Sequence, residues 1–224
     1  MTTVIAFDVN ETLLDLGALD GDFRDVFGDA GLRPQWFAQM LQLAFVGGLT
    51  GRYVDFTTAQ HAALAMLAER TGTTLRDDDA RRIVGRMSTL PPHPEVPGAL
   101  ARLRDTPLAV AALTNSVQSV AEAQLEHAGL RDLFHLVLSA DTVRRLKPAP
   151  EPYRAVAAHF GVPIGEVRLV AAHPWDVSGA LAAGARAALV KRPGVVASPI
   201  GPAPDIVGSD VDEVVSGILG VDLG

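Results

Sequence analysis

The stretch Thr3-Val4-Ile5-Ala6-Phe7-Asp8-Val9-Asn10-Glu11-Thr12-Leu13 decides the fold. Its first part, Thr3 to Phe7, is a short β-rich apolar run without strict alternation, the pattern of a strand buried on both faces. The run ends abruptly in polar residues. Four more runs of this kind lie downstream: Leu108 to Leu113, Leu136 to Leu138, Val167 to Ala171 and Ala187 to Val190. Helical patterns separate them at Gly98 to Arg104, Gln118 to Ala128, Glu151 to Phe160 and Asp176 to Ala183. Gly129, Gly161 and Gly184 follow three of these, where a helix C-cap favours glycine. The alternation predicts an α/β fold: a doubly wound parallel sheet in a three-layer α/β/α core.

One region breaks the alternation. Between Asp20 and Leu90 no strand is convincing, and Gln35 to Val46, Phe56 to Thr71 and Asp77 to Thr89 read as helices. Pro91-Pro92-His93-Pro94 ends this block. The expected organisation is a core of residues 1–14 and 92–224 interrupted by an all-helical domain over 15–91. The Gly- and Pro-rich segment Lys191 to Asp205 reads as a surface loop.

Composition narrows the partners. The chain has 224 residues, 48% of them hydrophobic, enough for a sizeable core. The net charge of −7 argues against a nucleic-acid partner. With no cysteine, disulfides, thiol nucleophiles and Cys-ligated metals are excluded, in keeping with a reducing cytoplasm. Neither a secretory signal nor an apolar run of about 20 residues is visible, so no membrane partner is expected.

In open parallel sheets the site lies at the carboxyl ends of the strands. There the chain places Asp8, Asn10 and Thr12, then Thr114, Asn115 and Ser116, then Lys147, then His173 and Asp176. A carboxylate such as Asp8 is ionised at neutral pH and serves as a nucleophile without a general base. A nearby ammonium, Lys147, keeps it ionised. Thr114 and Asn115 suit an anion, yet such residues also cap helices, as does an aspartate at position 176. His173 is a candidate base or water-positioning group. Trp175 and Phe56 wall a pocket or simply fill core. His61, His93, His127, His135 and His159 have no companion at metal-ligand spacing and read as structural.

The strings Phe7-Asp8-Val9-Asn10-Glu11-Thr12-Leu13, Leu113-Thr114-Asn115-Ser116, Leu146-Lys147-Pro148 and Trp175-Asp176 with Gly179-Ala180 resemble, in order, the four motifs of the haloacid dehalogenase superfamily. The helical insertion resembles that superfamily's cap domain. Within the superfamily the chain most resembles the L-2-haloacid dehalogenases, through Gly51 to Phe56, Lys147-Pro148 followed by Tyr153, and Ala172 to Asp176. The resemblance implies a metal- and cofactor-independent hydrolase that removes halide from short 2-haloalkanoic acids through an aspartyl ester on Asp8. It implies catalytic roles for Asp8, Lys147, Asp176, His173 and Thr12. It implies substrate contacts from Asn10, Thr114, Asn115, Phe37, Phe56, Tyr153 and Trp175. Its expected partners are a small 2-haloacid and a second copy of the chain, paired through the cap helices.

Two positions separate this reading from the superfamily's phosphatases. Those enzymes protonate the leaving alkoxide with an acid two residues after the nucleophile, and bind Mg²⁺ with an acid four residues before the last aspartate. Here these positions are Asn10 and Ala172. Halide leaves without a proton, so dehalogenation tolerates both. The chain departs from the dehalogenases as well. Their cap arginine beside a tryptophan is Phe37, after Trp36; their tyrosine is Asn10; their serine and asparagine are Ala171 and His173. Arg24, Arg33 and Arg52 are candidate substitutes for that cation, and nothing in the sequence places them. A weak or altered dehalogenase is expected, with a small-molecule phosphatase and a binding module as the rival readings.

Overall fold

The computed structural model describes residues 2–224. Six strands form one all-parallel sheet: β1 (Val4–Phe7), β2 (Ala109–Thr114), β3 (Leu136–Ser139), β4 (Val167–Ala171), β5 (Arg186–Val190) and β6 (Ile206–Gly208). Their spatial order is β3-β2-β1-β4-β5-β6. The chain winds outward from β1 in both directions, which makes the carboxyl end of β1 the topological switch point.

The strands alternate between two apolar layers. Ile5 and Phe7 face one, Val4 and Ala6 the other. The first layer is completed by α5 (Val96–Arg104), α6 (Gln118–His127) and α9 (Val211–Ile218), the second by α7 (Pro150–Phe160) and α8 (Pro174–Ala183). This is the expected three-layer core. The sheet is one strand longer than the sequence reading, which overlooked β6 and α9. The α9 signal was legible: Asp210 caps it by accepting from Glu213 N, and Val211, Val214, Val215 and Ile218 repeat at helical spacing. Residues 191–205 form a loop, as expected.

Between β1 and α5 lie four α-helices and no strand: α1 (Asp20–Phe27), α2 (Leu32–Leu49), α3 (Phe56–Thr71) and α4 (Asp77–Gly85). The α1 helix was not singled out in the sequence. The expected helix Asp77 to Thr89 is α-helical only to Gly85, then tightens into a 3₁₀ turn over Arg86–Thr89. The α3 helix starts where Asp55 accepts from Thr58 N. Trp36, Met40, Ala63, Leu64 and Leu67 are fully or almost fully buried and join the first apolar layer. The insertion therefore packs as part of the main core, above the carboxyl edge of the sheet.

Candidate active site

Asp8 follows β1 directly, and its backbone N–H donates to Val170 O of β4, which pins it at the switch point. The residue is 5% exposed. Lys147 Nζ donates to Asp8 Oδ1 at 2.8 Å, to Asp176 Oδ2 at 2.6 Å and to Leu113 O at 2.8 Å. All three ammonium hydrogens are therefore committed. Thr12 Oγ1 donates to Asp8 Oδ2 at 2.7 Å and accepts from Ala172 N at 2.8 Å. Tyr153 OH donates to Asp176 Oδ1 at 2.5 Å.

The trio Asp8–Lys147–Asp176 is buried, and the charges decide its protonation. Burial pushes Asp8 up, but the Lys147 and His173 charges and the hydrogen bonds from Lys147 and Thr12 outweigh it and hold Asp8 below the usual carboxylate range. Burial raises Asp176, and repulsion from Asp8 adds to this against the pull of Lys147. Burial lowers Lys147, but its two carboxylates more than offset that, so it stays above the ordinary lysine range. Burial and the Asp176 carboxylate raise the Tyr153 phenol well above its usual range, which keeps it a donor.

The structure thus brings Asp8, Thr12, Lys147, Tyr153, His173 and Asp176 together. His173 covers Asp8 from the side of the helical insertion. Its Nε2 lies 3.7 Å from Asp8 Oδ2, 3.7 Å from Glu11 Oε2 and 3.2 Å from Asn10 O. In the neutral form of the ring, a carbonyl partner places the hydrogen on Nε2 and leaves Nδ1 as the acceptor. The ring is sandwiched between two aromatic faces. Phe37 stacks on it at 5.5 Å between centroids and Trp175 at 5.2 Å, while Phe45 meets Trp175 edge-on at 5.3 Å. The Trp175 Nε1–H is buried and finds no hydrogen-bond partner in the protein.

Other expected substrate contacts have their polar atoms occupied elsewhere. Asn115 donates to Lys147 O and accepts from Lys147 N, at 3.1 and 2.8 Å, so it positions the lysine backbone. Asn10 turns its amide away, donating to Ser116 Oγ and accepting from Gln124 Nε2. Thr114 Oγ1 accepts from Ser116 N and shapes the turn after β2. Phe56 is 2% exposed within the main apolar cluster.

Of the three alternative arginines, Arg24 and Arg52 are exposed. Arg33 is mostly buried and ties Asp20 at 2.6 Å and Glu11 at 3.4 Å. A cleft of about 570 Å³ opens beside His173, with Glu11, Arg33, His93, Ala172 and Arg192 in its wall. Glu11 and Arg192 were not anticipated. Glu11 stood inside the quoted motif, whereas nothing in the sequence brings Arg192 back to donate to Thr12 O at 2.7 Å. A larger cleft of about 640 Å³, bounded by Phe45, Leu49, Tyr53, Leu146 and Pro148, does not include Asp8 in its wall.

A sequence profile described as haloacid dehalogenase-like hydrolase matches residues 2–184. The (S)-2-haloacid dehalogenase of Pseudomonas sp. (strain YL) is 30% identical, covering 90% of this chain and 88% of its own length. The haloacetate dehalogenase H-2 of Moraxella sp. (strain B) is 29% identical, covering 94% and 95%. The L-2-haloacid dehalogenase of Xanthobacter autotrophicus, solved with chloropropionic acid covalently bound, superposes with a TM-score of 0.91 at 27% identity, over 99% of this chain and 100% of that one. The profile spans the strands that carry Asp8, Lys147 and Asp176, and the chain belongs to the haloacid dehalogenase-like hydrolases.

Proposed function

We propose that the protein hydrolyses the carbon–halogen bond of short 2-haloalkanoic acids by covalent catalysis on Asp8. The observation that carries this reading is the state of Asp8: buried, ionised, and held by Lys147 and Thr12 without a nearby acid at position 10. Such a carboxylate is a ready nucleophile for a carbon whose leaving group needs no proton. A phosphoryl substrate has neither an acid for its leaving oxygen nor a carboxylate at position 172.

In the first step an Asp8 oxygen attacks C2 from behind the C–X bond. The Asp8 O–C2 bond forms, the C2–X bond breaks, and halide departs with inversion. The unpartnered Trp175 N–H is a donor for the leaving anion. In the second step water adds to Asp8 Cγ, and the bond from Cγ to the alkyl oxygen breaks. A 2-hydroxy acid is released and the carboxylate is restored. Lys147 and Thr12 stabilise the oxyanion at Cγ; His173 takes the water's proton at Nδ1 and delivers it to the departing alkoxide, and the remaining proton on the Asp8 carboxyl group is lost to solvent. Phe37, where the resemblance implies an arginine, contributes a wall in place of a cation.

The chain divides into a core, residues 1–14 and 92–224, and a cap, residues 15–91. The two crossing segments support this division, since Asp15 N donates to Pro91 O and His93 N to Leu13 O, so both linkers run side by side. Exposed Val46 and Leu49 near the end of α2 support pairing of two copies through the cap.

Halide release from L- and D-2-chloropropionate in the presence of EDTA tests the reading. Release by the wild type, lost in Asp8→Asn, is the expected result. Magnesium-dependent phosphate release from an aryl phosphate, with no halide, would replace it by the phosphatase reading.

A further inference from the structure

The loop after β1 carries an anomaly. Glu11 sits at φ +62°, in the left-handed region that favours glycine. Its main chain satisfies Leu14 O and reaches His93, tasks that ask nothing of the side chain. A bulky residue held in such a conformation points to work done by its side chain. The carboxylate itself spans two donors: Oε1 meets Arg33 Nη1 at 3.4 Å, and Oε2 lies 3.7 Å from His173 Nε2. The same His173 nitrogen lies 3.7 Å from Asp8 Oδ2. The two carboxylates therefore stand within twice that distance of each other, a gap that a carboxylate and its neighbouring carbon bridge.

The other cations near Asp8 have their terminal nitrogens engaged. Lys147 has three acceptors. Arg192 serves Thr12 O and Glu95 through its two Nη atoms, and only its buried Nε is without a partner. Arg33 lies on α2, one helical turn before Phe37 and so on the same face. Its Nε is taken by Asp20. The guanidinium edge facing Glu11 is held only by that longer contact.

We propose that Glu11 is an internal stand-in for the substrate's carboxylate. It occupies an anion site made by Arg33 of the cap and His173 of the core, and the incoming acid must displace it. The inference rests on the 2-haloacid reading for the identity of the ligand. Arg33 then supplies, one turn earlier, the cation that Phe37 lacks. Affinity for a short carboxylate is reduced by the fraction of time that Glu11 fills the site.

The test is calorimetric titration with propionate, an unreactive carboxylate, in low-chloride buffer at neutral pH. Glu11→Gln removes the competing charge, and Glu11→Gly does so while suiting the backbone. Both are expected to tighten propionate binding by about tenfold, and Arg33→Gln to weaken it by a similar factor. In the Arg33→Gln background the Glu11 change should lose most of its effect. Unchanged or weaker binding in both Glu11 variants overturns the proposal, whether or not Arg33→Gln folds. Halide release is followed in parallel. Tightened propionate binding without any halide release would sink the dehalogenase reading and leave the anion site; halide release with unmoved affinity would sink the anion site alone.

Discussion

Phe37 lies face to face with His173, the ring planes 20° from parallel and the centroids 5.5 Å apart. The pair joins the helical insertion to the strand loop over the nucleophile, so it couples packing to the site. Phe37→Ala opens a cavity at a position only 6% exposed and is expected to lower stability by about 3 kcal/mol. It also frees the imidazole on one face, so turnover should fall further than stability alone dictates. Phe37→Trp, which keeps an aromatic face, should retain most of the activity. Thermal unfolding and single-turnover halide release measure the two effects; equal activity in the alanine and tryptophan variants would count against the coupling.

Lys147 bridges two buried carboxylates, Asp8 and Asp176. Breaking a buried ion pair by removing one partner strands the other charge and costs about 3–5 kcal/mol. Lys147→Met strands two. It is expected to lower the unfolding midpoint sharply and to abolish halide release. Adding Asp176→Asn removes one stranded charge, so the double variant should recover part of the midpoint and none of the activity. Denaturant titration decides this: no recovery in the double variant would mean that charge is not what Lys147 supplies.

How much of this was legible in the sequence follows the kind of interaction. Buried strands announce themselves as unbroken apolar runs, so β1 to β5 and the loops that hold Asp8, Lys147 and Asp176 could be placed. Their spacing also matched a known order of motifs. Short elements such as β6, three residues long, fall below that signal. Side-chain direction is not written in the sequence at all. Asn10, Thr114 and Asn115 sit where a substrate contact is expected, yet each turns its polar atoms to the protein. The Arg33–Glu11 contact joins residues 22 positions apart, and only the packing of α2 against the loop after β1 creates it.

The charge balance around Asp8 carries a pH prediction. A carboxylate whose folded pKa is depressed contributes stability that is present above the unfolded value, about 3.9, and lost as pH falls through the folded one. Asp8 is of this kind. The nucleophile therefore stays ionised through the mildly acidic range. The first, halide-releasing step should keep its rate constant from pH 7 down to about 4.5. Rapid-quench measurement of halide in a single turnover separates this step from ester hydrolysis. A decline in that first step with a midpoint well above pH 4.5 would mean that a group other than Asp8 controls the attack.

Gly179 on α8 shows how tightly Lys147 is supported. A Cβ there would lie 2.5 Å from Pro148 Cβ, 2.7 Å from Tyr153 OH and 2.9 Å from Pro148 O. All three belong to groups that hold the site: Pro148 follows Lys147, and Tyr153 donates to Asp176. Gly179→Ala must push the helix, the phenol or the lysine loop aside. Overpacking of this sort costs about 1–3 kcal/mol. The larger effect is expected on rate, because misplacing a reacting group by about 1 Å can cost on the order of a hundredfold. The variant should remain folded at 25 °C and show KM changed less than kcat. A second-site Tyr153→Phe removes one of the three clashes along with its hydrogen bond. It should restore part of the thermal midpoint without restoring kcat. If Gly179→Ala leaves both the midpoint and the single-turnover rate unchanged, the contact between α8 and the Lys147 loop is looser than these distances describe.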